Sequence, residues 1–302
     1  RYRVRPNRMW LTSGTMDNLA ELGAQNEADD LVAAYRRNGY VVVRGVFAPS
    51  EVAGIAAAAE QEYAEGIRHG RSFRHGNLFY NVAPDGNGQP LVRMVQWPSY
   101  HRDRLNGVRL DPRIARLLAP LIGRDLKQII NQLHWKCGGG LSDFAWHQDC
   151  RFRKPASAYR NLADAFVQTG LALDPHTPDS GCMRVVPGSH LRGDLDIDTA
   201  ATVLANPLSD DALIACGLLP EDVVDLVLAP GDLAMWSPYL VHGSGDNRAK
   251  HRRRLYINGY VRAGDCDRGE WAFRDGAPVP FGAQPALVHY EQLHSRGEPH
   301  YV

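Results

Sequence analysis

The chain has 302 residues, 44% of them hydrophobic and 23% charged, and its 34 Lys and Arg are matched by 34 Asp and Glu. Zero net charge supplies no general attraction to nucleic acid or an anionic membrane surface, and no apolar run approaches the roughly 18 residues that span a bilayer. Such a chain is expected to bury a sizeable core in one domain over residues 1–302, with neither nucleic acid nor membrane as partner.

Arg1 to Trp10 is charged but is followed by no apolar core, so it does not read as a signal peptide. Residues 27–38 (EADDLVAAYRRN) predict a helix closed by Gly39, with Leu31, Val32 and Tyr35 facing inward. The β-branched run 40–44 predicts a strand. Ser50 is expected to cap a second helix reaching Ile67, on which Val52, Ile55, Ala59 and Tyr63 recur near helical spacing. Residues 69–90 (HGRSFRHGNLFYNVAPDGNGQP) read as a long exposed loop. A third helix is expected from Asp111 and Pro112 to Leu121, because aspartate caps well and proline suits the first helical position.

From Leu126 the texture changes. Short runs rich in Val, Ile, Leu and aromatics fall at 126–136, 166–173, 182–187, 223–228, 232–236 and 254–262, separated by Gly, Pro and Asp. Many short strands with turn signals favour a sandwich or barrel over alternating βα units. Residues 191–222 read as a partly helical insertion and 263–302 as a tail covering a neighbouring surface. Loops as long as 69–90 and 191–222 are commonly functional, which makes both candidates for a lid or substrate wall. The five cysteines, Cys137, Cys150, Cys182, Cys216 and Cys266, contain no CxxC pair. That pattern argues against a disulfide framework or thiolate zinc site and points to the reducing cytoplasm.

The segment Trp146-His147-Gln148-Asp149 carries the most chemistry. In an extended segment side chains two apart share a face, so His147 and Asp149 present an imidazole and a carboxylate side by side. HxD alone is common and fits an ordinary hydrogen-bonded couple equally well. A second histidine from a distant strand would complete a facial triad, which leaves three positions of Fe(II) open for a chelating co-substrate and O₂. His242 is best placed, since it closes the apolar run 233–241; standing alone, it would read as a satisfied interior histidine. Eleven residues on, Arg253 opens another strand-like run, and a guanidinium there suits a distal carboxylate. Which of Arg252, Arg253 and Arg254 points inward is a question of strand parity that the residues leave open. Ser244 offers a hydroxyl to the same carboxylate, and the run 250–254 (KHRRR) also reads as a solvated basic turn.

Together, HxD, a distant His and an Arg eleven residues later resemble the phytanoyl-CoA dioxygenase family of Fe(II)/2-oxoglutarate oxygenases. GYVVVRGVFAPSEV (39–52) resembles that family's opening strand and helix start, and DSGCMRVVPGSH (179–190) its central segment. HGSGDN (242–247) followed by Arg253 resembles its C-terminal strand pair, and the likeness runs from residue 35 to 262. The resemblance implies a mainly β fold with flanking helices around a double-stranded β-helix (jelly-roll, cupin-like) core, using Fe(II), 2-oxoglutarate and O₂. It carries the metal ligands over to His147, Asp149 and His242, the 2-oxoglutarate arginine to Arg253, and the hydroxyl to Ser244. Gln132, His134 and Lys136 match polar residues that touch the co-substrate, although His134 reads equally as an interior histidine. His190 reads as a turn-fixing residue, and Trp146 and Trp236 as core walls. A small residue replaces the carboxylate in the family's halogenating relatives, so Asp149 points to oxygen transfer.

The implied reaction is hydroxylation of an unactivated C–H bond in a small organic substrate, amino-acid-like or a secondary metabolite, with release of succinate and CO₂. No catalytic residue beyond the metal centre is expected. Tyr80, Arg93 and Arg151 are candidate substrate contacts that read equally as plain surface residues. Two other classes fit the same three ligands: a cupin-like hydrolase or isomerase without need of Arg253, and a non-catalytic metal- or ligand-binding relative.

Overall fold

The structure, a computed structural model, describes residues 10–12, 23–138, 142–197, 208–283, 286 and 297–302. In chain order, β1 (Trp10–Thr12), α1 (Gly23–Asn38), β2 (Tyr40–Arg44) and α2 (Pro49–His69) lead into β3 (Phe73–His75), β4 (Leu78–Pro84) and β5 (Pro90–Gln96). Helices α3 (Asp103–Arg109) and α4 (Pro112–Ile122) precede the long β6 (Leu126–Lys136), then β7 (Phe144–His147), α5 (Leu162–Ala165), β8 (Phe166–Ala172) and β9 (Arg184–Val185). Next come α6 (Asp210–Ala215), β10 (Val224–Asp225), β11 (Leu233–Trp236), β12 (His242–Ser244) and β13 (Arg253–Arg262). The tail adds β14 (Glu270–Arg274), β15 (Ala277–Pro278) and β16 (His300–Tyr301).

These strands form two sheets. The larger runs β1-β2-β11-β8-β13-β6-β5-β4-β3-β16, with β14 also on β6; the smaller runs β10-β9-β12-β7. β1 lies parallel to β2, whereas the strands framing the site pair antiparallel. This is the jelly-roll arrangement. Alternation along β6 explains how it is held: Leu133 and Trp135 enter a core shared with Leu171, Tyr256 and the helical Leu31, Ile55, Ala59 and Leu118. Gln132 and His134 point the other way, into a cavity between the sheets. Each large apolar side chain fully buried on the helix side contributes about 1.5–3 kcal/mol, so that layer fixes the strands that carry the site.

The helices start where local chemistry allows. At α4, Asp111 Oδ1 accepts from Arg113 N at 2.9 Å, as the Asp-Pro pair predicts. At α2 the expected Ser50 cap is not used. Proline suits the first helical position, so α2 starts at Pro49 and the cap falls on Ala48. Glu51 Oε2 then accepts from Ala48 N at 2.7 Å.

Residues 69–90 are not an exposed loop. They build β3, β4 and the start of β5, because Leu78, Tyr80 and Val82 alternate as buried side chains between two turns rich in Gly, Asn and Asp. The run 182–187 contributes only the two-residue β9 before turning at Pro187-Gly188. In the expected insertion, 198–207 lie outside the described residues. Its described parts pack Leu195, Leu213 and Leu218 with Trp146, Val186 and Val241, on the side of the small sheet away from the cavity. The tail does cover a neighbour: Phe281 lies under the Arg109 guanidinium (3.9 Å) and beside Tyr100 (4.5 Å). No helix among the described residues is long and apolar enough to cross a membrane.

α2 approaches β5 closely at Gly66, where an added Cβ would stand 2.5 Å from Val92 Cγ2. Gly66→Leu is expected to lower the denaturant midpoint of unfolding. Overpacking costs about 1–3 kcal/mol, more than the roughly 0.8–1 kcal/mol that a helical glycine gives up. An unchanged midpoint would mean that α2 can lift off the sheet freely.

Candidate metal centre and its cavity

β7 and β12 pair with His242 directly opposite His147, so the two imidazoles share a face and their centroids lie 4.1 Å apart. The chain stays extended through Gln148 and then folds into a 3₁₀ turn at Asp149. Alternation therefore puts Asp149 on the side of His147 and turns Gln148 away. Gln148 Nε2 donates to Gly193 O (2.8 Å) and Tyr239 O (2.6 Å), and its Oε1 accepts from Leu195 N (2.7 Å). These bonds hold the ligand-bearing turn in place.

One ligand atom from each of His147, Asp149 and His242 lies within 4.8 Å of the other two, and all three residues are buried. His147 Nε2 stands 3.9 Å from Asp149 Oδ1, and His242 Nε2 stands 3.6 Å from Oδ2. Each ring donates its Nδ1–H to the carbonyl two residues earlier, Ala145 O at 2.8 Å and Leu240 O at 2.9 Å. That fixes the tautomer and leaves the Nε2 lone pairs facing the centre. Burial, then the neighbouring His242, lowers the His147 pKa, which keeps the ring neutral. Burial opposes ionisation of Asp149, but His242, His147, the Trp236 donor and Arg153 outweigh it and hold the carboxyl below its usual value. Asp149 Oδ2 accepts from Trp236 Nε1 at 2.9 Å and Gln168 Nε2 at 3.1 Å. Those donors face each other across β11 and β8. Two neutral imidazoles and one oriented carboxylate suit a divalent metal that keeps open positions.

The triad opens into a cavity of about 430 Å³. His147, Asp149, His242, Ser244, Arg253, Gln132, His134 and Arg93 all line it. The parity of the arginine run is visible in its partners. Arg252 pairs with Glu60 (2.8 Å), and Arg254 with Asp174 (2.7 Å) and Glu60 (3.0 Å), outside the cavity. Arg253 points inward, with an Nη donating to Gly181 O at 2.5 Å, its Nε buried without a partner and no carboxylate paired to it among the described residues. Burial lowers its pKa to about 10, so it stays charged at neutral pH. A buried, unpaired guanidinium is costly, and the donor left over suits an anion supplied from outside. His134, pushed down to about 3 by burial and Arg253, is a neutral ring in contact with Gln132 Oε1 at 2.9 Å.

Three expected contacts lie elsewhere. Lys136 is not on the cavity wall; its amine donates to Ser244 O (3.2 Å) and to Gly245 O, bracing the turn after β12. Tyr80 is a core residue whose hydroxyl donates to Glu62 Oε2 at 2.6 Å, because strand alternation turns it toward α2. Arg151 faces a separate depression beside Asp194 and Asp196, since the 3₁₀ turn after Asp149 rotates it outward. The residue that enters the cavity is Arg153. Gln168, Trp236, Asn81 and Gln96 also line it. For Gln168 the one sequence signal was a polar residue inside the apolar run 166–172.

The model of the family described as phytanoyl-CoA dioxygenase matches residues 35–255. The chain is similar to the dioxygenase lolE1 of Epichloe uncinata, 27% identical over 80% of this chain and 84% of that protein. It is also similar to a probable alpha-ketoglutarate-dependent hypophosphite dioxygenase of Stutzerimonas stutzeri, 26% identical over 76% of this chain and 77% of that one. Among solved structures, the epimerase SnoN in complex with Fe3+, alpha ketoglutarate and nogalamycin RO superposes with a TM-score of 0.60 at 25% identity. That match covers 87% of this chain and 99% of SnoN.

Trp236→Phe removes one of the two donors on Asp149 while keeping an aromatic wall. Anaerobic titration with a divalent metal should show affinity weakened about 10- to 100-fold. Unchanged affinity would mean that Gln168 alone orients the carboxylate.

Proposed function

The chain belongs to the phytanoyl-CoA dioxygenase family and is an Fe(II)- and 2-oxoglutarate-dependent dioxygenase, and on that premise we propose how its cavity works. His147, Asp149 and His242 hold the iron, and Arg253 with Ser244 holds the far carboxylate of 2-oxoglutarate. The single observation that carries this reading is that, of the three consecutive arginines 252–254, only Arg253 turns its guanidinium into the cavity that holds the three converging side chains, while Arg252 and Arg254 are already paired outside it.

When bound, iron with 2-oxoglutarate and O₂ supplies an oxidant able to take hydrogen from carbon, leaving succinate and CO₂. The chain's own contribution is placement. Nδ1 bonds to Ala145 and Leu240 aim both imidazoles, and Trp236 and Gln168 turn the Asp149 carboxylate toward them. A metal held by these three side chains alone would keep positions open for the co-substrate and O₂. Arg253 presents a planar fork that matches a carboxylate. Gln132 and His134, side by side on β6, contribute polar contacts to the co-substrate. Ile130, Phe144, Met183, Leu255 and Ile257 wall the space and exclude water from the reacting carbon. A cavity of about 430 Å³ suits a small organic substrate, and hydroxylation of its C–H bond is the reaction we assign. We read the chain as one such domain, and its five free thiols fit the cytoplasm.

His147→Ala and Asp149→Ala are each expected to abolish both the visible band that anaerobic Fe(II) and 2-oxoglutarate produce together and the coupled formation of succinate. Near-normal turnover in either variant would overturn the ligand assignment. Arg253→Ala should raise the half-saturating 2-oxoglutarate concentration by about 10- to 100-fold, the worth of a charge-assisted pair. An unchanged requirement would remove Arg253 from the site.

A further inference from the structure

Two more guanidiniums line the same cavity, and neither has a role in the reading above. Arg153 follows the 3₁₀ turn that starts at Asp149 and is 6% exposed. Its Nε is buried without a hydrogen-bond partner, and its guanidinium rests 5.7 Å over the Phe166 ring. Arg93 is half-buried, and its Nε also lacks a partner. No carboxylate pairs with either of them among the described residues.

Arg93 reaches the cavity through a specific device. Asn81 pairs with Met94 and Val82 pairs with Val92, so Arg93 is an extra residue in the β4–β5 ladder. Alternation alone would send Val92 into the cavity with Met94 and Gln96. The bulge instead returns Val92 to the core, where it is 0% exposed, and sends Arg93 to the cavity wall.

Charge counting then bears on the substrate. The cavity lining holds three guanidiniums against one carboxylate. Iron(II) adds two positive charges and 2-oxoglutarate removes two, so two positive charges remain uncompensated in the cavity lining. An uncompensated buried charge is costly, and an anion that pairs with it offsets that cost. We propose that the substrate carries an oxyanion, a carboxylate or a phosphonate, gripped by Arg153 and met at the cavity wall by Arg93. The inference rests on the assignment of Arg253 to 2-oxoglutarate.

The test is calorimetric titration of the anaerobic Fe(II)·2-oxoglutarate enzyme, at saturating 2-oxoglutarate, with valerate, propylphosphonate, their methyl esters and amylamine. The visible band of the complex is recorded first. Absence of that band overturns the assignment of the co-substrate site, and this inference with it. With the band present, at least one anion should bind about tenfold or more tightly than its ester, and the amine should bind no better than the esters. Whichever of valerate and propylphosphonate binds more tightly identifies the headgroup. Arg153→Gln and Arg93→Gln should each weaken that anion about tenfold without moving the ester, and Arg153→Lys should recover part of the loss. The proposal is overturned if no anion binds better than its ester, if the amine binds as tightly as the acids, or if both Gln variants stay within twofold of wild type.

Discussion

The structure turns on a cross-strand pair in the small sheet, His242 opposite His147. Direct opposition puts two imidazoles on one face at a spacing that no sequence-local arrangement provides here, since the residues are 95 positions apart. Every other part of the centre serves that pairing. The 3₁₀ turn after β7 delivers Asp149 to the same side, Gln148 binds the back of the turn to Gly193, Leu195 and Tyr239, and β11 and β8 bring Trp236 and Gln168 against the carboxylate. The helix-side core of the large sheet matters to function because it fixes which face of β6, β8, β11 and β13 looks toward the pair.

Electrostatics divides the arginines by strand parity. Around β13, the side chains that face α2 and the β8 exit find Glu60 and Asp174, while the one that faces inward meets only the carbonyl of Gly181. Gly181 adopts φ +67°, and a Cβ there would stand 2.4 Å from Gly245 O, so a larger residue would displace the carbonyl that receives Arg253. Lys136, opposite Arg253 in the ladder, is pushed down to about 6 by burial and by that neighbour. It is engaged with the backbone after β12 rather than with the cavity. The cavity therefore keeps its positive charge on planar guanidiniums, which match oxyanions two hydrogen bonds at a time.

Much of this was legible in the residues. The strands at 40–44 and 126–136 have the expected bounds, since each is rich in β-branched, aliphatic or aromatic residues and uninterrupted by Gly or Pro. HxD and the distant histidine converge as spacing and family resemblance suggested. What escaped the sequence was parity wherever the backbone departs from regular alternation. Arg151 and Arg153 lie two and four residues after Asp149, so both would share its face in an extended reading, and only the 3₁₀ turn decides that the second one enters the cavity. Tyr80 and Arg93, read alike from the sequence, part on the same ground: regular alternation turns Tyr80 into the core, and the bulge turns Arg93 to the cavity wall. The hairpins in 69–90 were hidden because Gly, Asn and Asp outnumber the three alternating apolar residues that build the strand. Trp236 reads as a core wall, and its second role depends on a partner 87 residues away.

The bulge on β5 has an evolutionary reading. Removing the single codon for residue 93 would leave Val92, Met94, Val95 and Gln96 alternating in register with β4, each on the face it already occupies. The hairpin would lose one cation and nothing else of its pattern. A lineage could thus gain or shed affinity for charged substrates by a one-residue insertion or deletion, on a strand that carries none of the metal-site residues and without repacking the core.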